Sequence, residues 1–102
     1  MKSEGFFLVK NGDANQAFEL RSFELSDPKG DEVLVEVESF GLNYADVMAR
    51  RGLYQDAPPM PCIVGYEVIG KITACGPGAK QDLLGKRVAA FCRFGGYAKH
   101  VV

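Results

Sequence analysis

The side chains able to do chemistry gather in one stretch, Gly41 to Gly70, GLNYADVMARRGLYQDAPPMPCIVGYEVIG. Asn43, Tyr44, Asp46, Tyr54, Tyr66 and Glu67 stand at its joints, where turns and element ends present side chains that their neighbours hold still. Amides and phenols donate hydrogen bonds to a carbonyl oxygen, and carboxylates accept them. That inventory suits binding and positioning a small polar group. Each residue also has a plainer use: Asn43 and Asp46 can cap a helix, and Tyr44 and Tyr54 can sit at a core edge. Glu67 is harder to dismiss, because a carboxylate inside an apolar strand needs solvent or a partner. Gly65 and Gly70 beside it point to close approach by another backbone or a ligand.

Metal chemistry finds little support. Cys62, Cys75 and Cys92 are odd in number, widely spaced and free of any C-x-x-C, so neither a zinc knuckle nor a disulfide framework is indicated. Cys92 and His100 would make only two ligands, and His100 reads as a surface residue. Gly76-Pro77-Gly78 is a turn: no third glycine follows at the right spacing and Pro77 lacks an amide donor, so there is no dinucleotide fingerprint.

The elements that must position these groups are short. Phe6 to Val9 reads as a strand ended by the turn Asn11-Gly12-Asp13. Ala17 to Phe23 alternates as a half-buried strand does. Glu32 to Phe40 alternates most clearly, with Val33, Val35 and Val37 on one face and Leu34 breaking the pattern. Residues 43–52 form the one convincing helix, with Asn43 as N-cap, Asp46 completing a weak capping box and Gly52 ending it. Tyr44, Val47, Met48 and Arg51 share a face. Ala57-Pro58-Pro59-Met60-Pro61 is an extended loop. Strand resumes from Ile63 through Ile72 to Cys75, again over Arg87 to Phe91, and finally over Tyr97 to Val102. Six β segments and one helix at close spacing indicate a mainly β chain folded as a small, partly open barrel.

The chain has 102 residues, 47% apolar and 25% charged, with 12 basic against 13 acidic side chains and a net charge of −1. One domain is expected. The charge balance disfavours a nucleic-acid partner. No apolar stretch approaches the roughly 20 residues of a membrane span, and the N-terminus lacks the pattern of a secretory signal. A soluble cytoplasmic protein is therefore expected. The final valine pair, lying inside a strand pattern, would leave an unpaired apolar edge, so the chain reads as cut.

The patterns VLVEVESFGLNYADVMARRGLY, PPMPCIVGYEVIGKITACGPG, GKRVAAF and GGYAKHVV, in that order, resemble the N-terminal domain of the medium-chain dehydrogenase/reductase superfamily. Within it the chain is similar to the zinc-free quinone oxidoreductases, and the run from Gly41 to Pro61 especially to the branch with the synaptic vesicle membrane protein homologues. The resemblance implies a GroES-like β-barrel over residues 1–102, followed in the parent by a Rossmann domain that binds NADPH. It implies hydride transfer to a quinone or an α,β-unsaturated carbonyl, and a homodimeric parent. Asn43, Tyr44 and Tyr54 match the catalytic set. The same three with Asp46 match positions near the nicotinamide, and Tyr66 and Glu67 match the substrate cleft. Zinc alcohol dehydrogenases carry a cysteine ligand where Asn43 stands and a histidine ligand where Tyr66 stands, and their four-cysteine lobe has no counterpart after Phe91. No metal is expected on that comparison.

On this reading the chain alone gives no turnover, for want of the groups that bind the nucleotide. A stand-alone GroES-like assembly module of the co-chaperonin kind is the rival from another class. Against it, the region of the flexible co-chaperonin loop holds a capped helix and prolines here. An oligonucleotide-binding barrel is disfavoured by the missing Lys/Arg groove.

Overall fold

Alternating valines, glycine-closed turns and one capped helical stretch yield six strands and two short helices among the described residues. The computed structural model describes residues 1–55 and 57–102, so Asp56 of the QDAPPMP loop lies outside them. The order is β1 (Lys2–Leu8), α1 (Ala14–Ala17), β2 (Phe18–Glu24), β3 (Val33–Phe40), α2 (Tyr44–Arg50), β4 (Glu67–Cys75), a 3-10 turn (Gln81–Leu83), β5 (Arg87–Phe91) and β6 (His100–Val101). β1 and β2 pair as an antiparallel hairpin, Lys2 opposite Glu24 and Leu8 opposite Phe18. The other four form an antiparallel sheet in the order β5-β4-β3-β6. The fold is mainly β, as expected, and its sheets stay open and do not close into a ring.

The break at Leu34 has a structural cause. The β3–β4 register shifts between Leu34 and Val35, so two successive side chains are buried. A second shift lies between Val37 and Ser39. One core gathers Val35, Val68, Ile72 and Val101 within the four-stranded sheet. The other joins Leu8, Ala17, Ala49, Cys62, Val64 and Tyr97 where the hairpin, α2 and the loops meet.

Four boundaries differ from expectation. The first strand, expected from Phe6 to Val9, runs from Lys2 to Leu8, because the whole of it pairs with Phe18–Glu24. The strand awaited from Ile63 starts at Glu67, because Cys62 bridges to Leu8 across the sheets and Gly65 takes a φ of 113°. The last strand shrinks to His100–Val101, with Ala98 bridging Gly5 instead. Ala17 closes a single helical turn, α1, whose amide donates to Asp13 O at 2.8 Å; the Asn-Gly-Asp turn signal masks it. At the seam between the sheets a Cβ on Gly5 would lie 3.0 Å from both Ala98 Cβ and Ile63 Cδ1. A larger residue there would have to push these neighbours aside, so glycine suits the close crossing.

Candidate functional site

α2 has seven residues, too short to be stable through its own hydrogen bonds, so its ends carry it. Asn43 at the N-cap is extended (φ −124°, ψ 154°) and closes a capping box with Asp46. Asn43 N–H donates to Asp46 Oδ2 at 3.0 Å. Gly52 follows the helix at φ 74°, the left-handed conformation expected of a helix-ending glycine.

Asp46 is only 3% exposed. Its Oδ2 also accepts the Tyr97 hydroxyl at 2.8 Å, a bond that spans 51 positions of sequence. Burial, then the hydrogen bond to Asp46 and its charge, push the Tyr97 phenol well above the ordinary tyrosine value. The Tyr97 ring stacks on Phe40 with centroids 4.6 Å apart and tilts against Phe18. Tyr97 is the organising residue that the sequence reading missed. Its signal was present: a phenol in the apolar segment after Gly95-Gly96 needs a hydrogen-bond partner if buried. Two polar atoms of this network remain buried without a partner among the described residues, the donor Asn43 Nδ2 and the acceptor Asp46 Oδ1. Both residues line a cavity of about 220 Å³ with Phe18, Val47 and Tyr97.

A second group is aromatic. Tyr54 packs on the core of Leu8 and Val64 and meets Tyr66 edge-to-face, centroids 6.3 Å apart. Tyr66 in turn lies 5.5 Å from the Phe94 ring. Cys92 N–H donates to Tyr66 O at 2.7 Å, which ties the loop before β4 to the end of β5. Burial raises the pKa of the Cys92 thiol, and the nearby carboxylates of Asp46 and Glu67 raise it further, so it stays protonated beside the site.

Glu67 resolves its own puzzle. Its side chain lies over Gly41, where any Cβ would collide with the carboxyl group, and Gly41 N–H donates to Glu67 O at 3.1 Å. The glycines flanking it admit the protein's own backbone: Gly70 faces Glu36 of β3, and Gly65 lies against Tyr97 N and Gly96. Glu67 lines an open groove of about 320 Å³ with Phe40, Ile69 and Phe91. The structure thus brings Asn43 and Asp46 together, and Tyr54 with Tyr66. Tyr44 stands apart, 74% exposed on the outer side of α2. His100 is half-buried, held by Ser3 Oγ at 2.9 Å, while the Cys92 thiol donates to Gly65 O, so the two serve different contacts.

Two open sheets, a capped helix inserted between β3 and β4, and a polar cluster at that helix's start define an alcohol dehydrogenase GroES-like domain. Residues 29–102 match that family, and the chain belongs to it. It is 38% identical over 74 residues to the synaptic vesicle membrane protein VAT-1 homolog of Rattus norvegicus, covering 72% of this chain and 18% of that protein. Quinone oxidoreductase-like protein 2 of Mus musculus is 35% identical over 71 residues, 70% of this chain and 20% of its own length. The crystal structure of the human synaptic vesicle membrane protein VAT-1 homolog-like protein superposes with a TM-score of 0.91 at 30% identity, covering 99% of this chain and 32% of that one. Escherichia coli quinone oxidoreductase, solved with NADPH, gives 0.85 at 29% identity, covering 96% and 30%. The matched part therefore spans about a fifth of the curated relatives and under a third of the solved chains. Among the described residues no helix is long and apolar enough to cross a membrane.

Proposed function

We propose that the chain is the substrate domain of an NADPH-dependent, zinc-independent oxidoreductase that reduces quinones or α,β-unsaturated carbonyls. Membership of the family carries this reading, together with quinone oxidoreductases among the relatives and a solved neighbour that holds NADPH. NADPH supplies the hydride, and a nucleotide-binding domain outside these residues would hold most of it. The residues present fit that role. Asn43 keeps an unspent amide donor and Asp46 an unspent carboxylate acceptor at the start of α2, and Tyr44 is free to reach outward from the same turn. Tyr54 and Tyr44 would contact the substrate and Asn43 would act as an orienting donor as negative charge develops on the substrate's carbonyl oxygen, work a metal performs in zinc relatives. Asp46 would hold Asn43 in place rather than meet the substrate. Tyr66 and Glu67 would line the substrate cleft.

The reading is tested by replacing the equivalent N-terminal third of E. coli quinone oxidoreductase with this chain and following NADPH oxidation at 340 nm with a benzoquinone. Turnover by the chimera supports it. A folded chimera that binds NADPH but leaves the quinone unreduced would falsify it. The 102-residue chain alone is expected to show no oxidation above background.

A further inference from the structure

β5 is an edge strand: it pairs with β4 on one side and with no other strand among the described residues. Two bonds fix which way its backbone points. Cys92 N–H donates to Tyr66 O at 2.7 Å, and Ile72 N–H donates to Lys86 O at 2.9 Å. Residue pairs in an antiparallel ladder alternate between bonded and non-bonded, so Val88 and Ala90 spend their amides and carbonyls on β4. Arg87, Ala89 and Phe91 turn theirs to the open side, where they meet no backbone partner among the described residues. Such an edge is a template for another strand, and proteins usually blunt it with lysine, proline or a bulge. β5 carries none of these: its register with β4 is unbroken, Ala89 is exposed at its centre and Phe91 is 91% exposed at its end.

We infer that β5 is the docking edge for a second copy of this chain, the two larger sheets joining antiparallel about a two-fold axis at Ala89. The strand fits itself in that arrangement. Arg87 then stands opposite the partner's Phe91 and Ala89 opposite the partner's Ala89, so outward residues meet outward residues and every free amide finds a carbonyl. The side chains match as well. Within one chain Arg87 faces Lys71, a like-charge pair, while Glu67 faces Phe91 and has no ion-pair partner among the described residues. Pairing sets the guanidinium against the partner's Phe91 ring, with the acidic partner's Glu67 one strand beyond. Between these ends Ile69, now 42% exposed, and Ala89 join their counterparts in one apolar stripe. The exposed Arg87–Glu38 ion pair is no obstacle, since such pairs contribute little. A foreign strand would meet the same backbone groups but not this exchange of Arg87 and Phe91, which is why a second copy is the occupant. The inference is independent of the oxidoreductase reading.

The test is sedimentation equilibrium of the 102-residue chain combined with amide exchange at low and high concentration. A five-residue edge makes a small interface, so dimers are expected to form at about 100 μM rather than at nanomolar levels. The amides of Arg87, Ala89 and Phe91 should exchange freely in the dilute chain and slow as dimers form, while those of Val88 and Ala90 stay slow throughout. Ala89→Lys sets like charges face to face at the axis and should weaken association about tenfold or more, with the far-ultraviolet circular dichroism unchanged because the position is exposed. Ala89→Pro removes the central outward amide without touching the β4 ladder and should act the same way. A chain still monomeric at about 1 mM overturns the inference. So does a dimer that leaves the three amides unprotected, or one that survives both variants. Protection of those amides in a chain that stays monomeric would mean cover from within, and protection that appears only on adding a Val-Thr repeat peptide would make a foreign strand the occupant; either result also overturns it.

Discussion

Tyr97 sits where burial and a carboxylate both oppose loss of its proton, and stability follows from that. Its folded pKa lies above the unfolded value of 10.0. The hydrogen bond to Asp46 therefore contributes fully below about pH 10 and is lost as pH rises through the folded value. Tyr97→Phe keeps the ring on Phe40 and removes only the hydroxyl, leaving Asp46 Oδ2 with the Asn43 amide alone. The expected cost is about 1–3 kcal/mol at pH 7 by urea unfolding. The wild-type chain should lose stability above pH 10 more steeply than the variant. Parallel pH profiles for the two would count against the bond. The partner was not legible beforehand: the sequence offers a phenol that needs a hydrogen-bond partner if buried, but Asp46 lies 51 positions away. The Asn43–Asp46 pair was legible, because three-residue spacing is local chemistry.

At the scale of elements, α2 survives because its start is anchored from outside. Its buried side chains are Asp46 and Ala49, and the small Ala49 lets the helix lie close on Cys62 and Val64. The caps are thus unequal. Asn43→Ala loses one capping side chain, a cost of about 1 kcal/mol. Asp46→Ala strands two donors at once, Asn43 N–H and the buried Tyr97 hydroxyl, and should cost about 2–4 kcal/mol. Amide exchange across residues 44–50 should accelerate more in the Asp46 variant than in the Asn43 variant; the reverse order would mean the helix is held by its cap alone. The helix and the strand at Arg87–Phe91 were readable because caps and alternation are local signals. The start of β4 was not. Apolar residues at Ile63 and Val64 read as strand, yet they pack on the other core because Cys62 pairs with Leu8 and Gly65 turns the chain.

The whole molecule depends on a seam. Hairpin and sheet are joined by Phe6 N–H to Tyr97 O at 2.8 Å, Lys99 N–H to Glu4 O at 2.8 Å, the Ser3–His100 bond and the Lys99–Glu4 pair. Gly5 bridges to Ala98 within that seam. Its side chain-free backbone lets Ala98 and the Tyr97 carbonyl pack close against β1, and the two-stranded hairpin, marginal at best when isolated, depends on that contact. The two halves should therefore unfold together. The wild-type chain is expected to show a single transition by circular dichroism and by methyl signals from Leu8 and Ile72, one from each core. Gly5→Val forces new atoms against Ala98, Ile63 and the Tyr97 carbonyl. Overpacking of that kind costs about 1–3 kcal/mol, and at the seam it should fall first on the joint between the sheets. Protection of the Phe6 and Lys99 amides should then drop below that of the β3–β4 ladder, separating the Leu8 transition from that of Ile72. Coincident transitions in the variant would show that the open sheets are coupled by something other than this crossing.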